Sequence, residues 1–445
     1  MTNRDLVERS LRAVWHPCTQ MKAHERFPLV PVARGEGAWL VDPEGRRFVD
    51  GVSSWWVNLF GHANPAINAA IADQLGKLEH AMLAGFTHEP AVALAERLAF
   101  LAPGNLGHAF FASDGASATE IALKMAFHWH ANRGERSRTR FVSLSGGYHG
   151  ETLGALSVTD VAIFRDAYGP LLRAPLLAPF PDRRKAHREG DHSFPFCPEC
   201  AAQGAEALEA LFASHPGEIA AFIVEPLVQG AGGMRMYHAD YLRGAREACT
   251  RHGVLMIADE IMTGFGRTGT LFACEQAGIA PDLLCLSKGL TGGYLPLSCV
   301  LATDAVYAGF YHDDPARGFL HSHSYTGNPL ACRAALATLD LLEQGDAIAA
   351  NRAKAEAFTA LAAPLAAHRA VRGWRHLGMI WAFEVNTDAH EFTRRAFEIA
   401  MAKGALLRPI GDTVYFMPPY VAGEAEFAKL VEAGLAIADG LGLAA

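Results

Sequence analysis

The chain has 445 residues, half of them hydrophobic and 19% charged, a globular balance that leaves no room for a long disordered arm. A net charge of −8 offers no basic stripe to neutralise phosphates, which argues against a nucleic-acid binder. No apolar run approaches membrane-spanning length, the best being a strand-like stretch such as VLMIA.

In chain order, MTNRDLVERS is charged from the start and lacks the apolar core of a signal peptide, so a cytoplasmic protein is expected. The first fifty residues read as mostly extended. The first clear unit is FFASDGASATE: a strand at 109–112, a glycine turn, then a helix. Ala118, Ile121, Ala122, Met125 and Trp129 share one face of that helix. Its first turn, at Gly115, Ala116 and Ser117, points free N–H groups beyond the sheet, which suits a phosphate. A strand at 141–144 follows.

HREGDHSFPFCPEC then carries His187, His192, Cys197 and Cys200. CxxC can chelate zinc, but a structural zinc site needs two spaced pairs and only one is present. The stretch therefore reads as a surface excursion without a metal. With no secretion signal, the eight cysteines are expected to stay reduced.

Strands at 221–224, 254–258 and 283–287 alternate with helical patterns, among them 240–252, stopped by Gly253. Such alternation with apolar strands predicts an α/β fold around a mostly parallel sheet covered on both faces. Beyond Asn328 the pattern turns helix-rich, and Phe427, Leu430, Val431, Leu435 and Ala438 form one face of a closing helix. The economical division is a large domain over 53–344 and a smaller α+β domain built from both termini, 1–52 and 345–445.

Two further strand ends carry chemistry. Asp259 ends the apolar run of LMIADEI, so its carboxylate emerges from the sheet and needs a partner; a helix cap or structural salt bridge is the plain alternative. Lys288 ends the run of DLLCLSKGLTGG one strand-helix-strand unit later, although most strand-end lysines merely reach water. A phosphate cradle, a buried carboxylate and a desolvated lysine on one edge together describe a pyridoxal 5'-phosphate site. The lysine would bond the cofactor, and the carboxylate would hold the pyridine nitrogen protonated. GFGRTG, 264–269, matches the dinucleotide fingerprint. It begins five positions after Asp259, however, and no helix opens among its glycines.

ADEIMTGFGRTG followed by LSKGLTGG resembles the class III aminotransferases, a family of pyridoxal-phosphate enzymes of fold type I, and the resemblance runs over nearly the whole chain. WHPCTQM, GVSSWW, GGYHGETLGALSV, EPLVQGAGGMRMYH, TGNPLACRAAL and LLRPIGDTVYFMPPY look like the members that serve biotin synthesis. The resemblance implies transfer of an amino group from S-adenosylmethionine to 8-amino-7-oxononanoate by a ping-pong route. A lysine donor, or another ω-amino acid transamination, is the alternative. It further implies a homodimer with active sites at its interface. Lys288 and Asp259 match the catalytic lysine and the pyridine-nitrogen partner. Gly115, Ala116, Ser117, Tyr148, His323 and Ser324 fall on cofactor-binding positions, with Ser324 reaching the phosphate from the partner subunit. Trp55, Tyr148, Ser322 and Arg408 fall on substrate positions, Arg408 as the carboxylate-binding arginine. Cys18 stands where a substrate-recognising tyrosine is common.

Overall fold

A computed structural model describes residues 2–27, 29–181 and 197–443; His187 and His192 lie outside them. The chain divides into two compact units, Ala66–Ala350 and Met1–Pro65 with Asn351–Ala445.

The larger unit is built on seven strands: β1 His108–Ala112, β2 Arg140–Leu144, β3 Leu176–Ala178, β4 Ile219–Val224, β5 Leu255–Asp259, β6 Leu283–Leu286 and β7 Ser298–Ala302. They lie in the order β1-β7-β6-β5-β4-β2-β3. Every pairing is parallel except those of β7, which runs against β6 and β1. Every residue of β4, β5, β6 and β7 is buried, as expected of a sheet covered on both faces. Helix α1, Gly115–Asn132, lays the buried Ala118, Ile121, Ala122 and Met125 against this sheet. Helix α2, Ala239–His252, ends where Gly253 takes a left-handed conformation (φ 62°), as a C-terminal glycine does. Around GFGRTG the chain makes turns, and no helix opens among those glycines.

The smaller unit joins both ends of the chain in one sheet. Arg34–Glu36, Trp39–Val41 and Arg47–Asp50 form an antiparallel ribbon, and Ala405–Leu406 adds to it in parallel. Val371–Leu377, Ile380–Val385 and Thr413–Phe416 form a second sheet. The closing helix, Glu424–Leu441, buries Phe427, Leu430, Val431 and Ala438. Phe427 stacks on Phe358 at 4.2 Å and meets Phe416 edge-on at 5.9 Å.

Two expectations need correction. The first fifty residues are not mostly extended, because Asn3–Ala13 is a helix. It buries no residue, although Leu6, Val7 and Leu11 share one face at helical spacing. It is held by its cap instead: Thr2 Oγ1 accepts from Asp5 N and Asp5 Oδ2 from Thr2 N, each at 3.1 Å. Nor are all cysteines reduced, since Cys197 and Cys200 form a disulfide. Their Cα atoms lie 5.3 Å apart at the start of the helix Pro198–Ala213, within disulfide reach. The other six cysteines form no disulfide.

Candidate active site

The parallel strands bring their carboxyl ends to one edge, where open α/β sheets bind ligands. Asp259 ends β5, and β6 runs beside it with Cys285 opposite Asp259, which sets Lys288 just beyond the neighbouring strand end. Asp259 is 4% exposed. Its Oδ1 accepts from Ile261 N at 3.1 Å, and its Oδ2 lies 2.7 Å from His149 Nδ1. Lys288 has a left-handed backbone (φ 45°), a strained state for a residue with a side chain. Burial lowers the pKa of its ammonium, opposed by the charges of Asp259 and Glu225.

Glu225 follows directly on β4. It accepts from Tyr148 N at 3.0 Å and Gly230 N at 2.9 Å. Burial pushes its pKa up to about 7, with Asp259 adding to the rise and His149 opposing it. Glu225 thereby ties down the Tyr148–His149 segment, and His149 reaches across to Asp259. Neither His149 nor Glu225 is evident from sequence reasoning, although Glu225 also ends an apolar strand.

The turn between β1 and α1 packs closely against this group. A side chain at Gly115 would place its Cβ 2.9 Å from Ile261, and one at Gly150 would meet the Ala116 Cβ at 2.6 Å. Asp114 caps α1 by accepting from Ser117 N at 2.9 Å. That commits the Ser117 amide and leaves those of Gly115 and Ala116, which have no intrahelical acceptor. His323 Nδ1 lies 3.3 Å from Ser113 Oγ in the same turn, and His321 lies 3.3 Å from His323. Ser322 and Ser324 are exposed on that loop. Tyr148 donates from its hydroxyl to Glu151 at 2.9 Å. The group can thus hold a phosphate on two amides and set a buried carboxylate beside an amine of lowered basicity.

In the smaller unit, Cys18, Trp55 and Arg408 line one cavity of about 650 Å³, with Phe27, Leu29, Phe397 and Met401 among its apolar walls. The Arg408 guanidinium stacks over the Trp55 ring at 4.1 Å. Among the described residues, no carboxylate pairs with Arg408. Trp55 belongs to the short turn Ser53–Trp56, whose four residues are all left-handed at a cost of roughly 1–2 kcal/mol each.

A family model described as aminotransferase class-III matches residues 20–436. The chain belongs to the class-III aminotransferases. An adenosylmethionine-8-amino-7-oxononanoate aminotransferase of Helicobacter pylori is 44% identical over 444 residues, covering 98% of each chain. The crystal structure of the Methanocaldococcus jannaschii protein of the same name superposes with a TM-score of 0.91 at 35% identity, covering 99% of this chain and all of that one. A PLP-bound amine transaminase from an uncultivated Pseudomonas species gives 0.88 at 34% identity, over 97% and 99%. The fold is that of the fold type I enzymes, with an α/β unit around a mostly parallel sheet. Among the described residues, no group of three or more His, Cys, Asp or Glu could hold a metal ion, and no helix is long and apolar enough to cross a membrane.

Proposed function

We propose that this class-III aminotransferase uses pyridoxal 5'-phosphate to move the amino group of S-adenosylmethionine to 8-amino-7-oxononanoate, giving 7,8-diaminononanoate for biotin synthesis. The carrying observation is Lys288, an amine of lowered basicity, set beside the strand that ends in the buried Asp259. The residues fit the cofactor. The amides of Gly115 and Ala116 would hold its phosphate, with His323 and the partner-reaching Ser324 nearby in sequence. Asp259, oriented by His149, would keep its ring nitrogen protonated, and Tyr148 would cover the ring. Bound there, the cofactor supplies an electron sink that makes a proton beside the transferred amine acidic.

Lys288 Nζ is the base that takes this proton from the donor carbon in the first half-reaction, and the acid that protonates the former ketone carbon in the second. Desolvation suits it to both tasks, because it raises the share of neutral amine and makes the ammonium, once formed, a readier proton donor. Asp259 holds its charge in place through Ile261 N and His149. Arg408 binds the substrate carboxylate, Trp55 and the apolar walls take the methylenes, and Cys18 and Ser322 border the substrate. The protein acts as a cytoplasmic homodimer on this reading. A fully active monomer in sedimentation at high dilution would contradict the dimer.

The test is one turnover of purified holoenzyme with S-adenosylmethionine or with lysine, under one set of conditions, following loss of the visible absorbance of the lysine-bound cofactor. S-adenosylmethionine is expected to bleach it. Bleaching by lysine alone would overturn the donor and leave the keto substrate and cofactor assignments standing.

A further inference from the structure

Four successive left-handed residues, none a glycine, need external ties. In Ser53–Trp56 (φ 50°, 46°, 75° and 72°) the principal tie is Asp50, the wholly buried last residue of the strand Arg47–Asp50. Its Oδ1 accepts from Ser54 N at 2.9 Å, and its Oδ2 accepts from Ser54 Oγ at 2.7 Å. His62 Nε2 lies 2.9 Å from the same Oδ2. His62 Nδ1 faces the Asn58 amide nitrogen at 3.1 Å, so it accepts there and Nε2 carries the proton towards Asp50. The turn is also held elsewhere: Ser53 Oγ donates to Met417 O at 2.7 Å, and Trp56 Nε1 to Tyr415 OH at 3.0 Å. Trp55, 41% exposed, stands between these ties with Arg408 stacked over it.

We infer that Asp50 is a positioning residue for carboxylate recognition: it fixes the left-handed turn that holds Trp55 under Arg408, and so sets the plane of the guanidinium that lines the cavity. Among the described residues no carboxylate pairs with Arg408, and its guanidinium lies over the Trp55 face. A bidentate contact with a ligand carboxylate depends on the guanidinium plane. Moving Trp55 therefore weakens anion binding selectively, while the apolar walls still bind the aliphatic chain. The inference rests on the reading that Arg408 takes the substrate carboxylate.

The experiment measures equilibrium binding of nonanoate and of nonanamide to holoenzyme, by calorimetry, so that no turnover is needed. Wild type is expected to prefer nonanoate, and Arg408→Met to lose that preference. Asp50→Asn and Ser54→Ala are expected to reduce the nonanamide-to-nonanoate Kd ratio by about tenfold, the size of a lost charge-assisted contact. Asp50→Asn should change the ratio no further in an Arg408→Met background. General loosening of the unit would shift both dissociation constants together and leave their ratio alone. Ratios within twofold of wild type in both variants would overturn the role of Asp50 and leave Arg408 untouched. No preference in wild type itself would instead overturn the Arg408 reading, and this inference with it.

Discussion

Replacing Asp259 by asparagine removes one charge and almost no volume. The amide oxygen can keep the contact with Ile261 N at 3.1 Å. The amide nitrogen would face His149 Nδ1 at 2.7 Å and can donate to it once the imidazole proton sits on the other nitrogen. The fold should therefore survive, with a stability change of about 1 kcal/mol, one exchanged hydrogen bond. Chemistry should suffer far more. A cation facing a buried carboxylate loses about 3–5 kcal/mol when the carboxylate is removed. Felt in the transition state, that is a slowing of roughly two to four orders of magnitude. Lys288 would also lose a charge that opposes its fall in pKa. The assay is the first half-reaction alone, mixed rapidly with excess S-adenosylmethionine and followed in the visible, with thermal melting as the check on folding. A variant that melts normally and reacts within tenfold of wild type would remove Asp259 from the chemistry.

Lys288→Ala should abolish both turnover and the absorbance of the lysine-bound cofactor. Borohydride reduction of wild type followed by peptide mapping should label Lys288, and a label on another lysine would reassign the role. Arg408→Met should weaken the keto substrate by about 1.5–3 kcal/mol and the amino donor by less. Equal losses in the two half-reactions would mark a structural arginine. Glu260 is fully buried, accepts from Ala273 N and Cys274 N at 2.8 Å each, and has its pKa pushed up by burial to about 7. A carboxyl whose folded pKa is raised stabilises below its unfolded pKa and loses that contribution as pH rises through the folded one. Wild type should thus lose stability relative to Glu260→Gln by about 1.4 kcal/mol per pH unit between roughly pH 4.5 and 7. A pH-independent difference in denaturant melts would show that Glu260 is ionised throughout.

Much of the cofactor edge is legible because a polar residue at the end of an apolar strand has few places to go. The runs before Asp259 and Lys288 become β5 and β6, within two residues of the bounds read from sequence. Glu225 follows β4 in the same way and obeys the same rule. It lies in EPLVQGAGGMRMYH, which is informative as a family signature and so conceals the single carboxylate. His149 leaves no local signal, since its partner lies 110 residues away. β3 has only three residues and presents no strand-length pattern, whereas the five buried residues of β7, SCVLA, do present one that sequence reasoning misses after a glycine- and proline-bearing stretch. The N-terminal helix is legible and simply missed: Leu6, Val7 and Leu11 share one helical face, and Thr2 with Asp5 forms a capping box ahead of it.

The least legible feature is the backbone at the side chains that matter most. Lys288, Trp55 and Cys18 are all left-handed, at φ 45°, 75° and 53°. The sequence rule for such positions is glycine, or asparagine at most. A glycine could carry neither the amine nor the indole, so here the side chain is kept and the strain is borne elsewhere. At Trp55 the compensating contacts can be named, because Asp50, Met417 O and Tyr415 hold the turn through Ser54, Ser53 and Trp56. None of these partners is adjacent in sequence to the residue it supports. A pattern of residue types therefore reveals what a site contains long before it reveals how the site is held. Asp50, an unremarked aspartate at the end of a four-residue strand, becomes significant only once the turn beyond it is seen to be left-handed.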